Sequence, residues 1–236
     1  GIKSDLPNVP SLSLGVAELS PIELLRAYET FADHGVQNDL EVIRAITDSD
    51  LRGIKRAVLD PKQVVDPSAT DLLSNMLQSV FTDGTARSAR LMGLDRFAAG
   101  KTGTTSNHRD AWFAGYTPQL TTVVWVGADQ GGEAPQAPSQ DSRKKKISRI
   151  ALTGTTSALP IWTDYMKRAL EGEPPIPFPI SPYLQDMSAD RRTGFAARPD
   201  CRPDQVITDW FQKSHLPKFM TCEPAWPASV EKTSIQ

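Results

Sequence analysis

The stretch Ala98–Asp129, AAGKTGTTSNHRDAWFAGYTPQLTTVVWVGAD, decides the fold. It divides into three strand-like runs, FAAGKTGTT (97–105), DAWFAGYTP (110–118) and LTTVVWVGAD (120–129). The last two runs are joined by a short turn, Thr117-Pro118-Gln119. Strands joined by connections of this length run antiparallel. The stretch therefore predicts three antiparallel strands that are neighbours in one sheet.

The first run brings together a lysine, a glycine and three hydroxyls, at Lys101, Thr102, Gly103, Thr104 and Thr105. Side chains alternate along a strand, so positions 101, 103 and 105 face one side and positions 102 and 104 face the other. Glycine inside a strand often marks the close approach of a ligand or of another backbone. Lysine beside it offers a cation and three donors to an anionic group. The tripeptide Lys101-Thr102-Gly103 alone is also compatible with an ordinary solvent-facing strand.

A capping-box pattern at Ser20 and Glu23 predicts a helix over residues 19–35. Pro21 suits the first turn of this helix, and Gly35 suits its C-terminal stop. The apolar residues at helical spacing, which we expect to face the core, are Leu24, Leu25, Tyr28, Phe31 and Ala32.

Residues 38–60 predict short strands joined by a polar turn at Asp48–Asp50. A second helix is predicted over residues 66–86, where Ser68 and Asp71 form a cap pattern. Its expected core-facing residues are Leu72, Leu73, Met76, Leu77 and Val80.

Residues 157–172 predict a closing helix, whose apolar positions are Ile161, Trp162, Tyr165, Met166 and Leu170. Five prolines between positions 174 and 182 prevent this helix from continuing and indicate a linker. We therefore divide the chain into residues 1–172 and a proline-rich linker and C-terminal extension, residues 173–236.

The composition excludes some classes of protein. A net charge of −2 and a pI of about 6.0 argue against a nucleic-acid partner, because proteins that bind nucleic acids normally carry an excess of basic residues. No apolar run approaches the ~20 residues that span a bilayer. The two cysteines, Cys201 and Cys222, both lie in the C-terminal extension. The residues alone leave two readings open, a disulfide in an oxidising compartment and two unpaired thiols.

The segment GKTGTTSNHRDAWFAGYTP, with VVWVGAD after it, resembles the third active-site motif of penicillin-binding protein transpeptidases. The resemblance continues over nearly the whole chain. It includes a helix before the motif, a V…GTA element, a last helix and a cysteine-containing tail typical of the bifunctional class A members. These are VPSLSLGVAELSPIELLRAYETFADHG (9–35), SVFTDGTA (79–86), ALPIWTDYM (158–166) and TGFAARPDC (193–201).

This resemblance implies an α/β (α+β) fold of the penicillin-binding protein/serine β-lactamase type. Such a fold has a mostly antiparallel sheet between helical layers, here followed by a proline-rich tail. The implied reaction begins when a serine attacks a D-Ala-D-Ala stem peptide and releases D-alanine. The acyl group then passes to the amine of a neighbouring peptidoglycan strand. β-Lactam antibiotics acylate the same serine. The resemblance implies no cofactor and no metal.

The resemblance also implies roles for the motif residues. Lys101 helps to organise the polar network of the active site, and Thr102 and Thr104 bind the terminal carboxylate of the substrate at the strand edge. Gly103 and Thr105 complete the expected substrate-binding set. Main-chain N–H groups of the strand help to stabilise the tetrahedral oxyanion.

Class A members are anchored in the inner membrane, face the periplasm and carry a glycosyltransferase domain upstream. The resemblance thus implies an extracytoplasmic location for the parent protein of this chain. Because the family acts outside the cytoplasm, we predict that Cys201 and Cys222 form a disulfide.

The nucleophile of the family is missing from its expected place. Ser-x-x-Lys occurs only at Ser142–Lys145 and Ser229–Lys232, both after Lys101, whereas the family places the serine well before the K-T-G motif. Ser-x-Asn does not occur. We interpret both matches as chance and expect the chain to be the C-terminal part of a transpeptidase domain, whose serine lies upstream in the parent.

Two rival functions stay open at this point, a serine β-lactamase and a non-catalytic binding module with the same fold. The charged run at residues 143–146 indicates a solvated loop. Asp110 and Trp112 could shape the substrate cleft, although structural roles are favoured. The histidines, which are too scattered to indicate a metal site, are His34, His108 and His215.

Overall fold

The computed structural model describes residues 1–105, 108–127, 133–134, 150–217 and 220–222. The chain forms two compact units, Gly1–Pro179 and Ile180–Gln236. The serines of the two Ser-x-x-Lys matches, Ser142 and Ser229, lie outside the described residues, and so does the charged run at residues 143–146.

The first unit mixes helices with short and long strands. Its helices are α1 (Pro21–Ala32), α2 (Pro67–Thr82), α3 (Ser88–Leu91) and α4 (Leu159–Ala169). Its strands are β1 (Val36–Gln37), β2 (Ala45–Thr47), β3 (Gly53–Arg56), β4 (Lys62–Gln63), β5 (Ala99–Thr104), β6 (Asp110–Thr117), β7 (Leu120–Gly127), β8 (Glu133–Ala134) and β9 (Ile150–Ala151). A 3-10 turn covers Pro10–Leu14, and a π-helical turn, Gly154–Ala158, leads directly into α4.

Three long strands form the central sheet in the order β5-β6-β7, and both pairs are antiparallel. The strands predicted from the sequence are confirmed. The turn between β6 and β7 contains only Pro118 and Gln119, because Thr117 still belongs to β6. The Thr117 hydroxyl accepts hydrogen bonds from the N–H groups of Gln119 and Leu120, both at 3.2 Å, which closes the turn.

Helix α1 begins with the capping box that the sequence predicts. The Ser20 hydroxyl accepts from the Glu23 N–H, and the Glu23 carboxylate accepts from the Ser20 N–H. Gly35 follows the helix with a φ of 84°, a conformation that glycine adopts without strain. The expected apolar face of α1 lies half-buried; Tyr28 of this face contacts Tyr116 of β6 at a ring distance of 6.2 Å.

Two predicted details of α2 are wrong. The helix is capped by Asp66, whose carboxylate accepts from the Ser68 N–H, so Ser68 is the second residue of the helix and not its cap. Met76 is 66% exposed, although its spacing placed it in the core. The buried positions of α2 are mostly polar: Ser68, Thr70, Asp71, Ser74 and Phe81.

The polar face of α2 is buried because it finds partners inside the fold. The Ser74 hydroxyl lies 2.8 Å from the Tyr116 hydroxyl, and Asp71 lies 2.6 Å from His34 Nδ1. Burial raises the pKa of Tyr116 to about 12, so its phenol stays neutral and keeps its proton for this contact. The spacing of apolar residues in the sequence therefore does not reveal this buried polar face of α2.

The core lies between the sheet and α4. Trp162 of α4 is fully buried and packs against Phe113 of β6 and Phe81 of α2 at ring distances of 4.9 and 5.7 Å. Ile161 and Tyr165, two of the apolar positions of the predicted closing helix, are 52% and 50% exposed. The residues between the buried positions of α4 point away from the core, because the buried positions recur at helical spacing. These buried positions, which include the residue after the helix, are Leu159, Trp162, Thr163, Met166 and Leu170.

The predicted pair of short strands is confirmed as β2 and β3, which run antiparallel. Their turn is polar, as predicted: the Asp48 carboxylate accepts from the N–H groups of Asp50 (2.9 Å) and Arg52 (2.8 Å). All residues of both strands are exposed.

The first unit includes the start of the predicted linker. The guanidinium group of Arg96 donates to the carbonyl oxygens of Leu170 and Glu173, and Phe178 packs edge-on against Tyr116 at 5.6 Å. These contacts bind residues 173–179 to the first unit, so the boundary between the compact units falls at Pro179.

The second unit contains a sheet in the order β12-β10-β11-β13, where the sequence predicted only a tail. Its strands are β10 (Leu184–Asp190), β11 (Ala196–Ala197), β12 (Val206–Gln212) and β13 (Met220–Thr221). Two 3-10 turns, Pro203–Gln205 and Lys213–His215, flank β12. A disulfide joins Cys201 to Cys222, with their Cα atoms 5.5 Å apart.

Candidate functional site

Strand β5, which carries the K-T-G motif, lies at one edge of the central sheet. Only β6 pairs with it among the described residues. The Thr105 N–H donates to the Asp110 carbonyl at 3.1 Å, one step beyond the pair of Thr104 with Ala111. Hydrogen-bonded pairs alternate along an antiparallel ladder, so the main-chain groups of Thr102 and Thr104 point away from β6. No described strand takes up these groups.

Lys101 is exposed, and its ammonium group donates to the Thr102 carbonyl at 3.1 Å. This contact keeps the cation at the unpaired edge of β5. Gly103 lies opposite Trp112, and a Cβ at position 103 would come within 3.1 Å of the Trp112 Cβ. The glycine therefore accommodates a neighbouring side chain at this position.

Among the described residues, the hydroxyls of Thr102 and Thr104 each have one hydrogen-bond partner. Thr102 Oγ1 lies 2.9 Å from Thr85 Oγ1, in the segment that follows α2. Thr104 Oγ1 accepts a hydrogen bond from the Gly154 N–H at 3.0 Å. Since a hydroxyl carries one hydrogen and two lone pairs, Thr104 keeps its hydrogen free for an acceptor.

Gly154, which sequence reasoning missed, lies directly over the paired strands. A Cβ at this position would come within 2.5 Å of the Trp112 carbonyl oxygen and 2.8 Å of the Gly103 carbonyl oxygen. Only a residue without a side chain can approach the ladder so closely. The sequence signal was the glycine just before the closing helix, but nothing local linked it to β5.

Thr105 belongs to the loop after β5. Its hydroxyl accepts from the N–H groups of Arg109 (3.1 Å) and Asp110 (3.0 Å). His108 adopts a φ of 51° in this loop, and its Nδ1 lies 3.3 Å from the Leu152 carbonyl oxygen. The structure therefore holds the Thr105 hydroxyl in a loop contact and does not bring it to the hydroxyls of Thr102 and Thr104.

Asp110 and Trp112 make structural contacts across the sheet. The Asp110 carboxylate accepts from the indole N–H of Trp125 at 3.0 Å, and the rings of Trp112 and Trp125 lie 5.9 Å apart. Trp125 remains 50% exposed. These residues support the sheet face that carries Lys101 and Gly103.

The two remaining histidines make local contacts. His34 contacts Asp71 in the first unit, and His215 contacts Ser214 in the second unit. Across the ranges that the structure describes, no group of three or more His, Cys, Asp or Glu residues could hold a metal ion. In the same ranges, no helix is long and apolar enough to cross a membrane.

Comparison with known proteins identifies relatives. The family model for the penicillin-binding protein transpeptidase domain matches residues 8–151, more than half of the chain. Penicillin-binding protein 1A of Aquifex aeolicus is 37% identical over 172 residues, which cover 73% of this chain and 22% of that protein. The Neisseria lactamica protein of the same name is 36% identical over 178 residues, which cover 72% and 20%. The chain thus spans about a fifth of the length of these relatives.

Solved structures agree with this family. Penicillin-binding protein 1A from Haemophilus influenzae matches with a TM-score of 0.71 at 22% identity, over 90% of this chain and 34% of that one, and this likeness shows the fold. PonA1 from Mycobacterium tuberculosis in complex with penicillin V matches with a TM-score of 0.60 at 27% identity, over 76% and 49%. The predicted fold class is confirmed, and the chain belongs to the penicillin-binding protein transpeptidase domain family, with similarity to the class A proteins named 1A.

Proposed function

We propose that the parent of this chain is a serine D,D-transpeptidase that cross-links peptidoglycan stem peptides and is acylated by β-lactams. The observation that carries this proposal is the hydrogen bond that the Thr104 hydroxyl accepts. One of its lone pairs is used by the Gly154 N–H, so its hydrogen is available to a carboxylate at the unpaired edge of β5. Lys101 places a cation at the same edge. This combination suits the terminal carboxylate of a D-Ala-D-Ala peptide.

In this proposal Thr102 and Thr104 donate hydrogen bonds to that carboxylate. Lys101 helps to organise the polar network around the reacting serine. The Thr104 N–H, which points away from β6, is oriented to stabilise the oxyanion of the tetrahedral intermediate. Gly103 keeps the strand close to its neighbours, and Thr105 holds the loop that follows.

The serine itself must come from outside residues 1–236. No Ser-x-x-Lys precedes Lys101 in this chain, and Ser-x-Asn does not occur. We therefore propose that the parent supplies both motifs upstream, together with a glycosyltransferase domain and a membrane anchor that holds the protein at the periplasmic face of the inner membrane. The disulfide between Cys201 and Cys222 suits such an oxidising location.

Labelled penicillin tests the proposal on two proteins, the 236-residue chain and its parent. We expect no covalent adduct on the chain alone and a one-to-one adduct on the parent, both read by intact-protein mass spectrometry. An adduct on the chain alone would contradict the proposal and direct attention to Ser142 and Ser229. A parent that lacks Ser-x-x-Lys and forms no adduct would establish the non-catalytic binding module.

The serine β-lactamase alternative shares the K-T-G motif and the acyl-enzyme, so the adduct does not decide against it. The fate of the adduct does. A transpeptidase keeps its penicilloyl group far longer than a β-lactamase, which hydrolyses it in each turnover. We expect a persistent adduct, whereas rapid turnover of penicillin by the parent would favour the β-lactamase. Identity to proteins named penicillin-binding protein 1A favours the transpeptidase.

A further inference from the structure

Thr85 contacts the K-T-G strand, although it lies 17 residues before Thr102 in the chain. The two Oγ1 atoms are 2.9 Å apart. Thr85 follows α2, and the next residue, Ala86, is fully buried and donates its N–H to the Val80 carbonyl at 3.0 Å. Thr85 itself is exposed. Its main chain is therefore anchored by its neighbours, while its hydroxyl is available at the edge of β5.

The direction of this hydrogen bond follows from the proposed ligand. An ionised carboxylate only accepts hydrogen bonds, and a threonine hydroxyl has a single hydrogen to give. If Thr102 donates to the carboxylate, the hydrogen between Thr85 and Thr102 must come from Thr85. Thr102 then matches Thr104, which accepts a hydrogen bond from the Gly154 N–H through one of its lone pairs.

We propose that Thr85 is a positioning residue that donates to Thr102 Oγ1 and so directs the Thr102 hydrogen to the substrate carboxylate. This inference rests on the proposed transpeptidase function. It adds a residue outside the K-T-G motif to the recognition of the carboxylate. A chain of hydrogen bonds of this kind also polarises its last donor, which strengthens the bond to an anion.

The test uses the parent protein and the second-order rate constant for acylation by benzylpenicillin. Thr85→Val removes the donor and keeps the shape of the side chain. We expect acylation to slow about five-fold, which corresponds to one neutral hydrogen bond of about 1 kcal/mol. Thr85→Ser keeps the hydroxyl and is the matched control, expected within about two-fold of the unchanged protein.

A double-mutant cycle separates positioning from direct contact with the substrate. If Thr85 acts through Thr102, then Thr85→Val changes nothing further in a Thr102→Val background. We also expect Thr85→Val to slow the reaction of the free acid more than that of penicillin methyl ester, which carries no charge. A purely structural role would slow both alike, and melting curves show whether each variant folds.

Each outcome decides the inference. A Thr85→Val effect that persists in the Thr102→Val background would overturn it and would place Thr85 in direct contact with the substrate. Slower acylation in Thr102→Val but not in Thr85→Val would overturn the role of Thr85 alone and leave the proposed function intact. Unchanged acylation in Thr102→Val would overturn both the carboxylate role of Thr102 and the inference built on it.

Discussion

Replacement of Gly154 by alanine should destabilise the first unit, because the added methyl group has no room. Its Cβ would lie 2.5 Å from the Trp112 carbonyl oxygen and 2.8 Å from the Gly103 carbonyl oxygen. Both oxygens belong to main-chain groups of the paired strands β5 and β6, so neither can rotate away. The π-helical turn itself must shift, and this shift stretches the bond from the Gly154 N–H to Thr104 Oγ1.

The expected loss of stability combines two effects. Overpacking of a tight site costs about 1–3 kcal/mol, and loss of the hydrogen bond to Thr104 adds about 1 kcal/mol. For a unit of this size each kcal/mol lowers the Tm by about 2–4 °C. We therefore expect Gly154→Ala to lower the Tm by roughly 4–16 °C.

Thermal unfolding of the 236-residue chain, followed by far-UV circular dichroism, measures this effect. Gly53→Ala is the matched control, since no atom lies within 4 Å of a Cβ at position 53 and its residue is exposed. We expect the control to change stability by less than about 0.5 kcal/mol. Equal melting of Gly154→Ala and Gly53→Ala would refute the argument that the π-helical turn is clamped against the strands.

Three further predictions concern the site, the second unit and the N-terminus. Lys101→Ala in the parent should slow acylation by penicillin at least ~100-fold with normal melting, because it removes a charged donor, and Thr104→Val should slow it less; an unchanged rate for Lys101→Ala would make Lys101 an ordinary strand lysine. The disulfide closes a loop with a sequence separation of 21 and should stabilise the second unit by roughly 3 kcal/mol in the chain-entropy model; two titratable thiols in the unfolded chain without reductant would contradict the bridge. Hydrogen bonds, first from its helix-capping serine hydroxyl and then from main-chain N–H groups, hold the pKa of Glu23 below its usual range. The resulting stabilisation is complete above about pH 4.3, the ordinary glutamate value, and falls as the pH drops further. The Glu23 carboxylate accepts from the N–H groups of Lys3 (2.9 Å) and Ser4 (2.7 Å). Glu23→Ala should therefore speed amide hydrogen exchange at both residues at pH 7, and unchanged exchange would contradict the role of these hydrogen bonds.

Local patterns in the sequence were enough to predict the central sheet and the start of α1. The capping box of α1 is formed by two residues that are three positions apart, Ser20 and Glu23. The β6–β7 turn is formed by two residues between two apolar runs. Such features depend on neighbours in the chain, so a local pattern carries their full physical cause.

The features that the sequence analysis missed depend on contacts between distant residues. The inner face of α2 is polar because Tyr116 and His34 supply partners to Ser74 and Asp71, which are 42 and 37 residues away in the chain. The apolar spacing of α4 was ambiguous, since Ile161 and Trp162 are both large and apolar and only the position of the sheet selects Trp162.

The same distinction applies to the candidate site. The K-T-G letters identify the strand, but they do not determine which hydroxyl donates and which accepts. Gly154, 50 residues later, makes Thr104 an available donor. In the inference proposed above, Thr85, 17 residues earlier, directs the hydrogen of Thr102. Recognition of an anion requires donors whose acceptor side is already occupied by the protein. Substitutions at these two distant positions should therefore change carboxylate recognition even when every letter of the motif is kept.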